Sequence, residues 1–180
     1  TDRLATAARA ALPGVEIVAA TAAFGARYIA SRASFAVAAH AALDAYARHA
    51  TGCAATLLAC FGDPGLEALR EVSPRPVVSL IEASVARALT YGPRFAIVTG
   101  GAAWGPMLHE NLRARGLDAG LAGVFTVAPD GGAIARDPQG AVAMLAAACD
   151  DAARASGADC VILGGAGLLL QHAFDATEDA

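Results

Sequence analysis

The chain has 180 residues, enough for one large domain or two small ones, and combines a hydrophobic share of 56% with a formal net charge of −4. We expect a cytoplasmic protein without a membrane partner, because no apolar run approaches the roughly 18 residues of a membrane span and no signal segment follows Thr1. The acidic balance with scattered arginines argues against a nucleic-acid partner.

Lysine is absent, so that all 13 basic residues are arginine. Without lysine the chain can form no Schiff base to pyridoxal phosphate, no Walker-A phosphate site and no Ser-Lys catalytic pair. It also contains no G-x-S-x-G sequence, and its glycines do not fit G-x-G-x-x-G. These absences exclude several large enzyme classes.

Strand and helix patterns alternate along the first half of the chain, as in parallel βαβ units. The predicted elements are a helix over 1–12, a strand over 15–20, a helix over 34–50, a buried strand over 56–59, a helix after Asp63, a strand over 76–80 and a helix over 81–90.

Cys60 follows directly on the buried strand, at its predicted C-terminal tip. Asp63 and Pro64 then form a helix-start signal, in which the carboxylate caps the first free backbone N–H groups. A thiol near a helix N-terminus can be acidified below its usual pKa of about 8.5, and ligands of open α/β sheets bind beyond the strand C-termini. The alternative is a small buried core residue, the usual place of a free cysteine.

Tyr91-Gly92-Pro93 indicates a boundary, which predicts two α/β domains over 1–92 and 93–180. The second half repeats the pattern: a strand over 95–99, a helix over 104–115, a strand over 121–128, a Gly- and Asp-rich loop over 129–138, a helix over 139–156 and a strand over 160–163 that closes on the glycine-rich residues 164–167. Two such lobes would place the loop of Cys60 and the loop 164–167 face to face across a cleft.

The four cysteines are Cys53, Cys60, Cys149 and Cys160, and none of them forms a C-x-x-C pair. In a cytosolic chain this spacing favours individual thiols over disulfides or a zinc site. We therefore predict no metal.

Three segments resemble the aspartate/glutamate/hydantoin racemase superfamily, and its hydantoin racemase branch most of all. They are ACFGDPG at 59–65, PVV at 76–78 running into IEA at 81–83, and RFAIVT at 94–99. The resemblance implies two pseudosymmetric flavodoxin-like lobes, an active site in the cleft between them, and an isomerase that needs no cofactor. In that family one cysteine from each lobe flanks the substrate's α-carbon, and the first of them corresponds to Cys60.

The chain departs from the family at the second cysteine. The family has Gly-Cys-Ala-Gly where this chain has residues 164–167, so Gly165 takes the cysteine's place. Cys160 lies five residues earlier, roughly 16 Å away along an extended strand. The ends depart as well, because the chain begins in a helix and its tail, 168–180, lacks the family's further strand. We therefore expect part of a longer protein, with an intact mass well above 17.9 kDa.

Proton removal beside a carbonyl needs a base on one face and donors to the enolate oxygens. We predict Cys60 as the catalytic residue and backbone N–H groups at strand ends as the donors. The predicted substrate-binding residues are Phe61, Gly62, Asp63, Thr99, Gly100, Gly101, Gly164, Gly165 and Ala166. A capping role alone would account for Asp63. Thr99 could equally well be an ordinary threonine at the end of a strand.

Three functions stay open. The first is a cofactor-independent racemase or epimerase of amino acids or hydantoins, with Cys60 as base and acid; its partner would be a small molecule, and Ala-rich helix faces allow a homo-oligomer. The second is a one-cysteine decarboxylase or isomerase of the same superfamily, although the decarboxylase it resembles keeps the second-lobe cysteine. The third is a non-catalytic binder of small carboxylates.

Overall fold

A computed structural model describes residues 1–128 and 130–165, apart from the side chains of residues 135 and 138. The chain divides into two units, Thr1–Leu80 and a second that begins at Ile81. Each unit contains its own parallel sheet, so the predicted α/β class is confirmed. The predicted domain boundary after residue 92 stays a prediction.

The first unit is built around a pair of short parallel strands. Its elements are α1 (Asp2–Ala11), α2 (Arg32–His49), β1 (Thr56–Leu58), α3 (Leu66–Val72) and β2 (Val77–Ser79). Strands β1 and β2 pair from Thr56 with Val77 to Leu58 with Ser79. Leu66, Leu69 and Val77 form the core between α3 and β2, with α2 packed against them. In this βαβ arrangement, the connection from β1 to α3 lies at the carboxyl end of β1.

The second unit holds three parallel strands. Its elements are α4 (Leu80–Ala88), which starts at the last residue of the first unit, β3 (Phe95–Gly100), α5 (Trp104–Ala114), β4 (Leu121–Val127), α6 (Gly131–Arg136), α7 (Pro138–Ser156) and β5 (Cys160–Leu163). The strand order is β4-β3-β5, and every residue of β3 is buried because a strand flanks it on each side. An unbroken apolar run from Phe95 to Val98 predicts this central position.

Two predicted elements are wrong. Residues 15–20 form no strand, and Val15 and Val18 are each 55% exposed. A strand is stable only against a neighbour, and in the described ranges no strand pairs with this segment. Within the predicted loop 129–138, residue 129 lies outside the described residues and Gly131–Arg136 is α6.

Helix α6 forms despite its two glycines because its ends and its core face are both stabilised. The Asp130 side chain accepts a hydrogen bond from the Ala133 N–H at 2.7 Å, which caps the helix. Ile134 packs with Ala141 and Leu145 of α7. None of the helices in the described ranges is long and apolar enough to cross a membrane.

Candidate active site

Cys60 lies two residues beyond β1, in a tight turn that precedes α3. The Asp63 N–H donates to the Cys60 carbonyl at 3.0 Å, and the Leu66 N–H donates to the Asp63 carbonyl at 3.2 Å. Gly65 ends the turn with a φ of +80°. A Cβ at Gly65 would lie 2.9 Å from the Ala39 carbonyl oxygen of α2, so only glycine suits this close approach. The ACFGDPG segment is thus a compact loop packed against a helix.

Asp63 does not cap the helix that follows it in sequence, which corrects the prediction. Helix α3 begins at Leu66, and its N-cap is Gly65. The Asp63 side chain is only 1% exposed, and its carboxylate accepts hydrogen bonds from the Ser79 hydroxyl and, at 3.1 Å, from the Leu80 N–H. Leu80 is the first residue of α4. The carboxylate therefore caps α4, and Asp63 has a left-handed φ of +51°.

Burial raises the pKa of the Cys60 thiol to about 12, and the negative charge of Asp63 adds to the increase. The predicted acidification of this thiol is therefore wrong for this structure. The helix expected directly after Asp63 begins only at Leu66, and the charge that acts on the thiol is the Asp63 carboxylate. Cys60 keeps part of its side chain accessible but stays protonated at neutral pH.

The predicted site residues fall into two groups, one in each unit. Phe61, Gly62 and Asp63 share the Cys60 turn, where all three are buried. The other described residues lie at the carboxyl ends of the neighbouring strands β3 and β5: Thr99, Gly100, Gly101, Gly164 and Gly165. Ala166 lies outside the described residues. The substrate-binding roles of all of these residues stay predictions.

Two of the predicted substrate-binding glycines already use their backbone N–H groups in the sheet. The Gly101 N–H donates to the Val127 carbonyl at 3.0 Å, and the Gly164 N–H donates to the Val98 carbonyl at 2.8 Å. Thr99, at the end of β3, is 5% exposed. Gly165 has a φ of +149°, a backbone conformation that L side chains rarely adopt.

Cys160 is placed at the opposite end of the second sheet from Gly100. It pairs with Phe95, the first residue of β3, whereas the predicted site lies where β3 ends. Burial raises the pKa of the Cys160 thiol, with Arg87 acting in the opposite direction. Burial, followed by the charge of Asp150, also raises the pKa of Cys149 in α7. Neither thiol lies with the predicted site residues.

Ser79 is the residue that the sequence reasoning missed. It is 1% exposed at the end of β2, and its hydroxyl binds the Asp63 carboxylate. The signal was present, because Ser79-Leu80-Ile81-Glu82 has the S-x-x-E spacing of a capping box at the start of a helix. The pairing with Asp63 had no such signal, since 16 residues separate the two.

A cavity of about 250 Å³ lies in the second unit between α7 and the sheet. Its walls include Val98, Phe125 and the small side chains Ala148 and Ala152, so it is a gap left by alanine packing. It contains none of the predicted site residues. Among the described residues, no group of three or more His, Cys, Asp or Glu side chains could hold a metal ion.

Comparisons with known proteins agree on one family. The family model described as Asp/Glu/Hydantoin racemase matches residues 1–179. The chain is 35% identical over 117 residues to the hydantoin racemase of Paenarthrobacter aurescens and 33% identical over 119 residues to that of Rhizobium meliloti. These alignments cover 64% and 66% of this chain and 49% of each relative, so the chain spans about half the length of the curated relatives it matches.

Solved structures show the same fold. The allantoin racemase of Pseudomonas fluorescens superposes with a TM-score of 0.88 at 29% identity, covering 99% of this chain and 77% of that one. The allantoin racemase of Klebsiella pneumoniae gives 0.89 at 28% identity, with coverages of 99% and 73%. Glutamate racemase RacE1 of Bacillus anthracis, at 17% identity and a TM-score of 0.54, shares the fold. By the match over residues 1–179, this chain belongs to the Asp/Glu/hydantoin racemase family.

Proposed function

We propose that this chain carries the proton-transfer site of a racemase or epimerase that acts on hydantoin-type cyclic ureides or amino acids without a cofactor. The observation that carries the proposal is the position of Cys60, at the carboxyl end of a parallel strand in a chain whose relatives are named hydantoin and allantoin racemases. Ligands of open α/β sheets bind at this end of the strands. The proposed substrate is a small molecule whose α-carbon bears a proton beside a carbonyl group.

The resting protonation of Cys60 sets the direction of its first step. Because its pKa is raised to about 12, the thiol starts as the proton donor. A base on the opposite face of the substrate takes the α-proton, and the enolate carbon takes the Cys60 proton, which inverts the centre and leaves a thiolate. For the other enantiomer the same steps run in reverse, with the thiolate as base. Phe61 and Gly62, which share the turn of Cys60, are the proposed substrate contacts in this unit.

A one-sided reaction is the second candidate. It is favoured by the protonated Cys60 together with a glycine at position 165, where the family resemblance predicts a second thiol. A single thiol of this kind could deliver one proton to one face of an enolate, formed either by loss of CO₂ or by isomerisation. The product would then have a single configuration at the new centre.

Hydrogen exchange separates these functions. The protein would be incubated in D₂O with enantiopure hydantoins, allantoin, aspartate and glutamate, and α-proton exchange and optical purity would be followed by NMR and chiral chromatography. Cys60→Ala is expected to slow racemisation at least about 100-fold, the usual effect of losing a general acid or base. Cys53→Ala is the matched control, because that thiol lies in the loop before β1, away from the Cys60 turn in sequence, and donates to the His49 carbonyl at 3.8 Å.

Each outcome decides between the candidates. Exchange with loss of optical purity that depends on Cys60 supports the racemase. Exchange with retained configuration supports one-sided chemistry, and arylmalonate-type substrates would then be tested for loss of CO₂. Binding of a substrate by calorimetry without exchange would replace both with a small-carboxylate binder. Undiminished racemisation in Cys60→Ala would remove Cys60 from the mechanism, whereas exchange without racemisation would leave the opposite base at work alone.

A further inference from the structure

Asp63 is fixed in a position where its charge cannot be screened by solvent. The residue is 1% exposed, and its two carboxylate oxygens accept hydrogen bonds from the Ser79 hydroxyl and the Leu80 N–H. Ser79 is the last residue of β2, and Leu80 is the first residue of α4. The negative charge is thus held in place by β2 and α4 rather than by its own helix.

The same residue is tied directly to the cysteine. The Asp63 N–H donates to the Cys60 carbonyl at 3.0 Å, so the two residues close one turn. Ser79 and Cys60 follow paired strands, because Ser79 is opposite Leu58 in the register of β1 and β2. Through Asp63, the turn that carries the thiol is therefore anchored to the end of the neighbouring strand.

We infer that Asp63, anchored by Ser79 and the first turn of α4, is a positioning residue that holds Cys60 in the protonated, proton-donating form. The inference rests on the proposed function for its meaning in catalysis, while its effect on the thiol can be measured without a substrate. A fixed, buried negative charge disfavours a second negative charge on the neighbouring sulfur. It therefore adds to burial, the larger effect, in favouring the thiol over the thiolate of Cys60.

Charged groups also lie on α3, the helix that follows this turn. Asp63 is the charged group that acts on the Cys60 thiol. Helix α3 contributes Glu67 and Arg70, whose side chains are 72% and 37% exposed and pair with each other at 3.9 Å. Strand β2 contributes the neutral Ser79. Burial acts in the same direction as Asp63, so removing the carboxylate is expected to lower the thiol's pKa without making it strongly acidic.

The test is the pH dependence of Cys60 alkylation, followed at the single residue by peptide mass spectrometry. Asp63→Asn removes the charge, and its amide can still accept from Leu80 and donate to Ser79. We expect alkylation at pH 8.5 to be about tenfold faster in Asp63→Asn, the change that one pKa unit produces. Glu67→Gln is the matched control, because it removes the same charge from an exposed site four residues away and is expected to leave the profile unchanged.

Ser79→Ala separates charge from loosening of the turn. It keeps the carboxylate, so Cys60 alkylation is expected to stay as slow as in the wild type. Equal acceleration in Ser79→Ala and Asp63→Asn would show that the turn has opened, and would overturn the inference. A wild-type profile in a folded Asp63→Asn variant, checked by circular dichroism, would overturn it as well.

A measurement on the unaltered chain covers the case in which Asp63→Asn fails to fold. A buried charge acts with little screening, so the Cys60 profile is expected to shift by less than about threefold in rate between 0.01 and 1 M NaCl. A larger salt effect would assign the control of the thiol to exposed charges instead. If the thiol behaves as expected but no substrate exchanges its α-proton, the proposed function fails and the control by Asp63 stands.

Discussion

At the scale of single residues, the chemistry of Cys60 depends on its surroundings more than on its own thiol. Its neighbours bury it, supply a negative charge, and hold its turn with a buried hydrogen-bonded aspartate. Burial and the charge of Asp63 both favour a protonated sulfur. In the proposed proton transfer, such a group donates its proton to the enolate carbon. The α-proton of the substrate must then be removed by a different residue.

The raised pKa of Cys60 has a consequence for alkaline stability. In the folded chain the thiol keeps its proton up to about pH 12, whereas in the unfolded chain it loses the proton near its ordinary value of 9.0. Between these two pH values the unfolded state therefore binds fewer protons than the folded state. The contribution of the thiol to stability is complete below pH 9 and falls as the pH rises.

We expect the free energy of unfolding of the wild type to fall relative to Cys60→Ser by less than about 1.4 kcal/mol per pH unit above pH 9, because solvent reaches part of the side chain. Urea unfolding at pH 8.5 and pH 10.5 measures the difference, with Cys53→Ser as the control. Equal losses in wild type and Cys60→Ser would contradict the raised pKa.

Gly65 is the residue on which the shape of the Cys60 turn depends most directly. A Cβ there would approach the Ala39 carbonyl oxygen to 2.9 Å and the Ala39 Cα to 3.1 Å, at a φ of +80°. Gly65→Ala is expected to lower the free energy of unfolding by about 3 kcal/mol, the sum of backbone strain and a contact with rigid backbone.

Gly52 offers a matched control for that substitution. Its φ is +83°, but a Cβ there would meet nothing within 4 Å. Gly52→Ala therefore carries the strain alone, and we expect a loss of about 1 kcal/mol. Chemical denaturation of both variants gives the comparison, and equal losses would show that the contact with Ala39 relaxes freely.

At the scale of secondary structure elements, the second sheet and its long helix are joined through Arg94. The Arg94 guanidinium donates to the carbonyls of Ser156 at 2.8 Å and Gly157 at 3.3 Å, at the C-terminus of α7. Its backbone N–H donates to the Asp159 carboxylate at 3.0 Å. A cation at the last carbonyls satisfies unpaired acceptors and complements the helix dipole.

Arg94→Ala is expected to lower the free energy of unfolding by about 1.5 kcal/mol, because it removes charge-assisted hydrogen bonds from the end of α7. Arg113→Ala is the comparison, since its pair with Asp118 spans 3.6 Å between exposed side chains and contributes less than about 0.5 kcal/mol. Thermal unfolding of the two variants measures both effects, and similar losses would argue against the cap.

The sequence predicts most of these elements because periodicity and end signals are local. The buried run of β3, the helix after Trp104 and the strand from Cys160 all form where the pattern places them. The segment 15–20 shows the limit, since it has the apolar content of a strand but no partner strand among the described residues. Whether a strand forms depends on a neighbour, which a local pattern does not contain.

The candidate site was predictable to the same extent. Cys60 and its position at a strand end follow from the local pattern and the ACFGDPG segment. The protonation of the Cys60 thiol does not follow from the local pattern. It depends on burial and on Asp63, whose carboxylate binds Ser79 and the start of α4 instead of capping α3. Contacts between residues that are distant in sequence therefore determine which helix Asp63 caps and how strongly the Cys60 thiol holds its proton.

At the scale of the whole molecule, the longest stretch without helix or strand lies between α1 and α2, in the same unit as Cys60. Arg27 is exposed within it, whereas Arg87 lies in the last turn of α4. Limited trypsin digestion is expected to cut first after Arg27, because a protease binds an extended chain and helices resist it.

Mass spectrometry of the first fragments tests this expectation. Arg27→Gln should slow the first cleavage several-fold, while Arg87→Gln should leave its rate unchanged. A first cut after Arg87, the first cleavable arginine beyond residue 80, would instead identify α4 as less protected than the segment between α1 and α2.

The strand order β4-β3-β5 also sets an order of assembly. Strand β4 follows β3 after one helix, but β5, the other neighbour of β3, comes only after α6 and α7. The most buried strand of the unit therefore has one edge unpaired during synthesis until the chain has extended to residue 163, and during refolding until β5 pairs with it. An open apolar edge can pair with another chain. We expect the yield of refolding to fall as protein concentration rises, because a second molecule then competes with β5 for the edge of β3.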